Sequence, residues 1–340
     1  MSRYIVGVVI AFGLNAFMAS TVLAVQERNN ATTPVKLEQQ QALARASAEG
    51  EYWFERMNVA LNTLNYRASF IAMQPNGLQA YRWLHSVTAA NNNIEVIEGL
   101  NGPPNQAIRI NNQVTYLSSV NDPYSVLSTT LSSPILSGLY GKFSDIREAY
   151  NVVAVGGDRV VDRDAQHVRV IPHTRDRYLY SLWIDRENGL LLGVNTYLPS
   201  GDIVEQVLLT SIHVQESPLE ELEQLELQWD NVPSIQPLRP PANNMSKWQF
   251  GWLPAGFKLE RQQRVRVAMN GPIADHFMFS DGMAKFSVYI SESSEQVAPL
   301  QYENLKSMVS VSYNNYAVTT VGKIPLAIAQ QVAAAVRLTP

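Results

Sequence analysis

The chain contains no cysteine. Disulfides, thiol nucleophiles and cysteine-ligated zinc or iron–sulfur centres are therefore excluded, and the compartment has to be read from other features. Lysine and arginine are missing from Glu187 to Leu238, a stretch that holds Glu216, Glu220, Glu221, Glu223, Glu226 and Asp230. The net charge of −4 over 340 residues gives no global field that would favour nucleic acid. There is no Gly-x-Ser-x-Gly elbow, phosphate loop, dinucleotide fingerprint or His-Glu-x-x-His helix. The histidines His85, His167, His173, His213 and His276 are scattered, and Pro172 separates the two nearest. Asp162 and Asp164 fall in a turn, where Asp bonds its own backbone. Nothing assembles a nucleophile, a base and an oxyanion donor. A binding protein is expected rather than an enzyme, with no catalytic residue, metal or cofactor.

Long apolar runs are also absent beyond the N-terminus. Arg3 precedes an apolar core from Tyr4 to Phe17, and Val22-Leu23-Ala24 closes it with a small residue. Residues 1–24 are expected to be a cleavable secretory signal peptide. A membrane anchor is the competing reading, but the run is short for a span. No cysteine follows it, so a lipoprotein anchor is excluded. The mature protein is expected to be soluble and exported.

What is present is β pattern. Tyr150 to Val214 reads as a meander: strands joined too tightly for parallel crossovers. Gly156-Gly157-Asp158 reads as a turn, Asn188-Gly189 as a hairpin, and Pro199 to Asp202 as a further turn. Tyr178, Tyr180, Leu182 and Ile184 alternate onto one face. Upstream, strands are expected from Tyr66 to Met73, Gln79 to Val87, Ile94 to Glu98, and Ala107 to Leu117 about Asn111-Asn112. Trp53, Met57, Ala60, Leu61 and Leu64 recur at helical spacing and place a helix over the sheet. Pro123 to Phe143 reads as short helices interrupted by Pro134. About ten strands with covering helices predict an α+β chain whose N-terminal domain is a half-open antiparallel β-barrel. Its interior is either solid packing or a site for an apolar ligand, and both remain open. In the second case Trp53, Met57, Leu61 and Leu64 are the ligand-binding candidates.

Pro218 to Leu227 reads as a helix with Leu219, Leu222 and Leu225 on one side. Pro233, Pro237, Pro240 and Pro241 then mark a linker. Beyond it the charge reverses: Lys247, Lys258, Arg261, Arg264 and Arg266 are met only by Glu260. Arg264 and Arg266 share a strand face, which is either an ordinary solvated strand or a docking face for an acidic partner. Strands and a final helix from Pro325 to Val336 make a smaller C-terminal α+β domain. The expected divisions are 1–24, 45–228, 229–246 and 247–340.

Several strings, in order, resemble the RseB/MucB family of periplasmic regulators of the σE envelope-stress response. They are Leu64-Asn65-Tyr66 with Phe70, Asn101-Gly102-Pro103-Pro104, Trp252-Leu253-Pro254-x-Gly256-Phe257, Phe279-Ser280-Asp281-Gly282 with Phe286-Ser287-Val288, and Val321-Gly322-x-x-Pro325. Each is also readable as a turn or a strand end. Asn105-Gln106 departs from the Arg-Glu pair usual in the family. The resemblance implies a LolA/LolB-like N-terminal domain and a mobile linker. It implies binding of the periplasmic part of the anti-sigma factor RseA/MucA, shielding it from the site-1 protease DegS. It also implies release by lipopolysaccharide or another acylated ligand, and it leaves a homo-oligomer open. Arg261, Arg264 and Arg266 are the partner-binding candidates. The alternative is a periplasmic lipid or lipoprotein carrier.

Overall fold

The computed structural model describes residues 32–75, 77–120, 122–229, 247–266, 272–293, 300–302 and 306–339. The expected leader lies outside the described residues, as does the linker apart from Trp229. Among the described residues no helix is long and apolar enough to cross a membrane. Helix α1 runs from Thr32 to Thr63. Trp53, Phe54, Met57, Ala60 and Leu61 recur every three to four residues and are all buried. Burial of each large member contributes about 1.5–3 kcal/mol.

Eleven strands follow in one antiparallel sheet. They are β1 (Asn65–Gln74), β2 (Gly77–Val87), β3 (Asn93–Gly99), β4 (Asn105–Ile110), β5 (Gln113–Ser118) and β6 (Tyr124–Leu127). Then come β7 (Tyr150–Val160), β8 (Arg163–Pro172), β9 (Leu179–Asp185), β10 (Leu191–Tyr197) and β11 (Ile203–Gln215). The order β6-β5-β4-β3-β2-β1-β11-β10-β9-β8-β7 is two meanders joined where β1 pairs with β11. Both edges, β6 and β7, stay unpaired with each other, so the barrel is half open. Tyr178, Tyr180, Leu182 and Ile184 share the buried face, as their alternation requires.

Two local expectations change. Gly156-Gly157 is not a turn: β7 runs through it, with a register shift between Ala154 and Gly156, and the chain reverses at Val161-Asp162. The glycines serve a bulge in a long strand. Pro123 to Phe143 is not a run of short helices. It begins with edge strand β6 and continues irregularly to a 3₁₀ turn (Ser137–Tyr140), after which comes the one-turn helix α2 (Phe143–Ile146). Leu131, Ile135, Leu136, Leu139 and Ile146 from this stretch are buried in the same core as α1. Helix α3 (Glu220–Leu227) lies elsewhere, setting Leu219 and Leu222 on Leu84, Ile94, Val96 and Ile108.

Among the described residues the second sheet has six strands, in the order β13-β14-β15-β18-β17-β16. Its strands are β13 (Lys258–Arg266), β14 (Ile273–Ser280), β15 (Lys285–Glu292), β16 (Leu300–Tyr302), β17 (Ser307–Tyr313) and β18 (Tyr316–Gly322). Helix α4 (Leu326–Ala334) covers it with Ala329, Val332 and Ala333. Pro325 stands just before α4, and Val336 belongs to strand β19 (Val336–Leu338), which pairs with β12 (Trp248–Phe250). One compact unit from Arg45 onward holds both sheets; residues 32–44 of the other unit are helical.

Candidate functional site

The β14–β15 hairpin shapes the region where the two sheets meet. Asp281 Oδ1 accepts the backbone N–H groups of Met283 (3.0 Å) and Ala284 (2.8 Å), so one carboxylate oxygen closes the turn. Gly282 has φ +90°, and a Cβ there would lie 2.6 Å from the carbonyl oxygen of Asp145. Gly138 is equally constrained, because a Cβ would lie 2.5 Å from the Gly282 carbonyl oxygen. Only glycine at both positions lets the hairpin seat on the 3₁₀ turn. Met283 thereby joins the core of the first domain.

Beside this hairpin lies a cleft of about 510 Å³. One wall is the segment from Val126 to Ser137, and the other comes from β14, β15 and the end of β18. Leu131, Ile135, Met278 and Phe286 make it apolar, and among the described residues the charged ones lining it are Arg261, Lys285, Lys306 and Lys323, with no carboxylate. Its size is that of a site for a small ligand or a few residues of a peptide. Lys323 is largely buried, and its nearest acid is Glu205, at 3.9 Å. Burial pushes the Lys323 ammonium down and the Glu205 carboxyl up, since both charges have left water. A smaller cavity of about 280 Å³ lies between Tyr81, Tyr116, Tyr124 and Gln106.

Under α1 the first sheet is packed solid. Trp53 is 9% exposed, and Met57 and Leu61 are fully enclosed. Leu64 follows the helix and packs partly against the same core. None of these four lines the cleft or the smaller cavity. A buried polar lattice lies beside this core. Glu95 accepts from Trp83 Nε1 (2.8 Å), Tyr140 Oη (2.5 Å) and Arg109 Nη2 (3.0 Å). Arg109 also donates to Asn93 (2.8 Å), whose amide donates to the carbonyl of Asn62 at the end of α1 (2.7 Å). Burial first, then the Glu95 charge, drives the Tyr140 phenol well above its ordinary value.

The three arginines separate. Arg261 lines the cleft, with Nη2 3.5 Å from the Leu127 carbonyl oxygen on edge strand β6. Arg264 and Arg266 are exposed on the opposite parity of β13, and Arg264 bonds Asp275 at 2.9 Å. The sequence reading missed Arg177, Tyr178, Lys323 and the side chain of Asp281. Asp281-Gly282 and Gly322 to Pro325 show in the sequence only as a turn and a strand end, which say nothing about long-range partners. Among the described residues no three His, Asp or Glu side chains converge as metal ligands would.

These features define a class: a half-barrel packed against a second sheet domain, with a preformed cleft between the two. Residues 49–234 match the MucB/RseB N-terminal domain and residues 242–337 the MucB/RseB C-terminal domain. The chain belongs to the MucB/RseB family. It is 25% identical over 296 residues to the sigma-E factor regulatory protein RseB of Escherichia coli K12, covering 86% of this chain and 92% of that one. It is 24% identical over 304 residues to the sigma factor AlgU regulatory protein MucB of Pseudomonas aeruginosa, with coverage of 86% and 92%. The solved Pseudomonas aeruginosa MucA/MucB complex superposes with a TM-score of 0.69 at 22% identity, covering 86% and 99%.

Proposed function

We propose that the protein is a periplasmic negative regulator of a σE-type envelope-stress response. It binds the periplasmic part of an RseA/MucA-type anti-sigma factor and keeps it from the site-1 protease. It is not an enzyme, and a lipid or lipopolysaccharide signal releases it. The observation that carries this reading is the match to both family domains, in order, across nearly all of the described chain. A relative with this fold has been crystallised with MucA(peri), which supports a peptide-like partner. The cleft supplies a surface suited to one: apolar walls with a cationic rim. The domains are taken as 45–228 and 247–340, with 229–246 as the linker and 1–24 as the removed leader. Of the partner-binding arginines, Arg261 is favoured because it reaches the cleft.

The alternative, a carrier of lipid or lipoprotein, draws little support from the filled interior around Trp53, Met57 and Leu61. The test incubates the mature chain with the periplasmic segment of the anti-sigma factor from the same cell and adds the site-1 protease. Slowed cleavage that resumes on adding lipopolysaccharide is expected. Unchanged cleavage, with co-purifying lipoprotein instead, would favour the carrier.

A further inference from the structure

Three strings that read as turns or a strand end within the second domain meet at one point of the first. Arg177 and Tyr178 lie between β8 and β9. The Trp252-Leu253-Pro254-Ala255-Gly256-Phe257 string wraps Arg177: the Ala255 carbonyl accepts from its Nη2, and the guanidinium lies 5.1 Å over the Phe257 ring. The Phe279-Ser280-Asp281-Gly282 string supplies Asp281, whose Oδ2 accepts from Arg177 Nε (2.8 Å) and Tyr150 Oη (3.0 Å). The Val321-Gly322-Lys323-Ile324-Pro325 string supplies the Ile324 carbonyl, which accepts from Tyr178 Oη at 3.1 Å. The Arg177 and Asp281 side chains are 2% and 0% exposed. Asp176 and Thr174 take the remaining Arg177 donor (2.6 and 2.9 Å). Every charge in this cluster is hydrogen-bonded, so separating the partners would strand a buried ion.

We infer that Arg177 is a latch that fixes the two domains at one separation and so sets the width of the cleft. The same strings carry both jobs. Asp281 faces Arg177, while Met283, Lys285 and Phe286 of that hairpin line the cleft. Gly322 and Lys323 line it too, and the next residue holds Tyr178. Beside the seated hairpin, the other ion pairs across the boundary are weaker. Lys258–Glu148 is solvent-exposed, and Lys323–Glu205 spans 3.9 Å. The consequence for partner binding rests on the proposed function; the latch itself does not.

The absence of cysteine makes the test clean. Spin labels on cysteines placed at Glu220 and Arg264, both exposed, report the inter-domain distance in the full chain. One narrow distribution is expected for the otherwise unsubstituted chain and a broad one for Arg177→Met, with unchanged far-ultraviolet circular dichroism. If Arg177→Met does not fold, Asp281→Asn and Tyr178→Phe carry the same measurement, with the smaller broadening in Tyr178→Phe. A second arm reads affinity for the anti-sigma segment, expected to weaken roughly tenfold if the competent width is populated about one time in ten. A short bis-maleimide bridge between Glu148→Cys and Lys258→Cys in the Arg177→Met background should restore it. A distribution as narrow in the variants as in the parent overturns the latch. So does a bridge that restores the distance but not the affinity, since Arg177 would then touch the partner directly. A parent chain that shows the narrow distance yet never binds the segment refutes the proposed function and leaves the latch standing.

Discussion

Arg109 and Glu95 form an ion pair whose side chains are 5% and 0% exposed. Removing one member leaves the other charge stranded, which costs about 3–5 kcal/mol in such pairs. Arg109→Met is therefore expected to lower the urea midpoint strongly, and adding Glu95→Gln to recover much of the loss; equal loss in single and double variants would contradict this. His276 is a second residue with a measurable consequence. Burial lowers its imidazole from 6.5 to about 4, with the Arg261 charge adding in the same direction, while Gln263 and Ser287 bond the ring and Tyr289 stacks on it at 4.5 Å. A lowered folded pKa means the unfolded chain takes up the proton first. Stability is then complete above about pH 6.5 and falls as pH drops toward 4. Denaturation of the parent and of His276→Asn at pH 7 and pH 4.5 should show the smaller pH penalty in the variant. Neither residue was legible in the sequence, because burial of an isolated charge or imidazole depends on partners 11 to 14 positions away across a hairpin.

At the scale of elements, α1 lies tight against the sheet at Gly50, where a Cβ would sit 2.7 Å from the Val152 carbonyl oxygen and the Val153 nitrogen of β7. Ala is the better helix former by about 1 kcal/mol, yet the contact is backbone and cannot yield. Gly50→Ala is expected to destabilise the chain; a raised thermal midpoint would show that the helix is free to shift. The long strands, the Asn188-Gly189 turn and the stripe of α1 were legible, since each has a local period or a left-handed backbone requirement; Ala107 to Leu117, expected as strand about Asn111-Asn112, is the hairpin of β4 and β5. Two stretches were not. A glycine pair marks a turn or a bulge equally well, and here the reversal falls on Val161-Asp162, a pair without a strong turn signature. Val126, Leu131 and Ile135 gave apolar spacing without declaring whether an edge strand or an irregular plug would bury them. Of the residues singled out in the sequence, Arg261 lines the cleft, while Trp53, Met57 and Leu61 share one buried core with Phe70, Trp83 and Leu182, and Leu64 packs against it.

On the scale of the whole molecule, two sheets meet at a hairpin seated by two glycines, with a cationic, apolar-walled cleft alongside. The central claim is that this cleft receives the anti-sigma segment. Val126 to Ser137, which forms one wall, is mostly without ladder hydrogen bonds, so its amides should exchange quickly in the free protein and report an occupant well. Hydrogen–deuterium exchange of the mature chain, with and without a saturating periplasmic segment of the anti-sigma factor, tests the claim directly. Slowed exchange concentrated in residues 126–137 and in 283–289 and 321–323 is expected. Protection confined to the outer face around α3, or to Arg264 and Arg266 with the cleft unchanged, would contradict it.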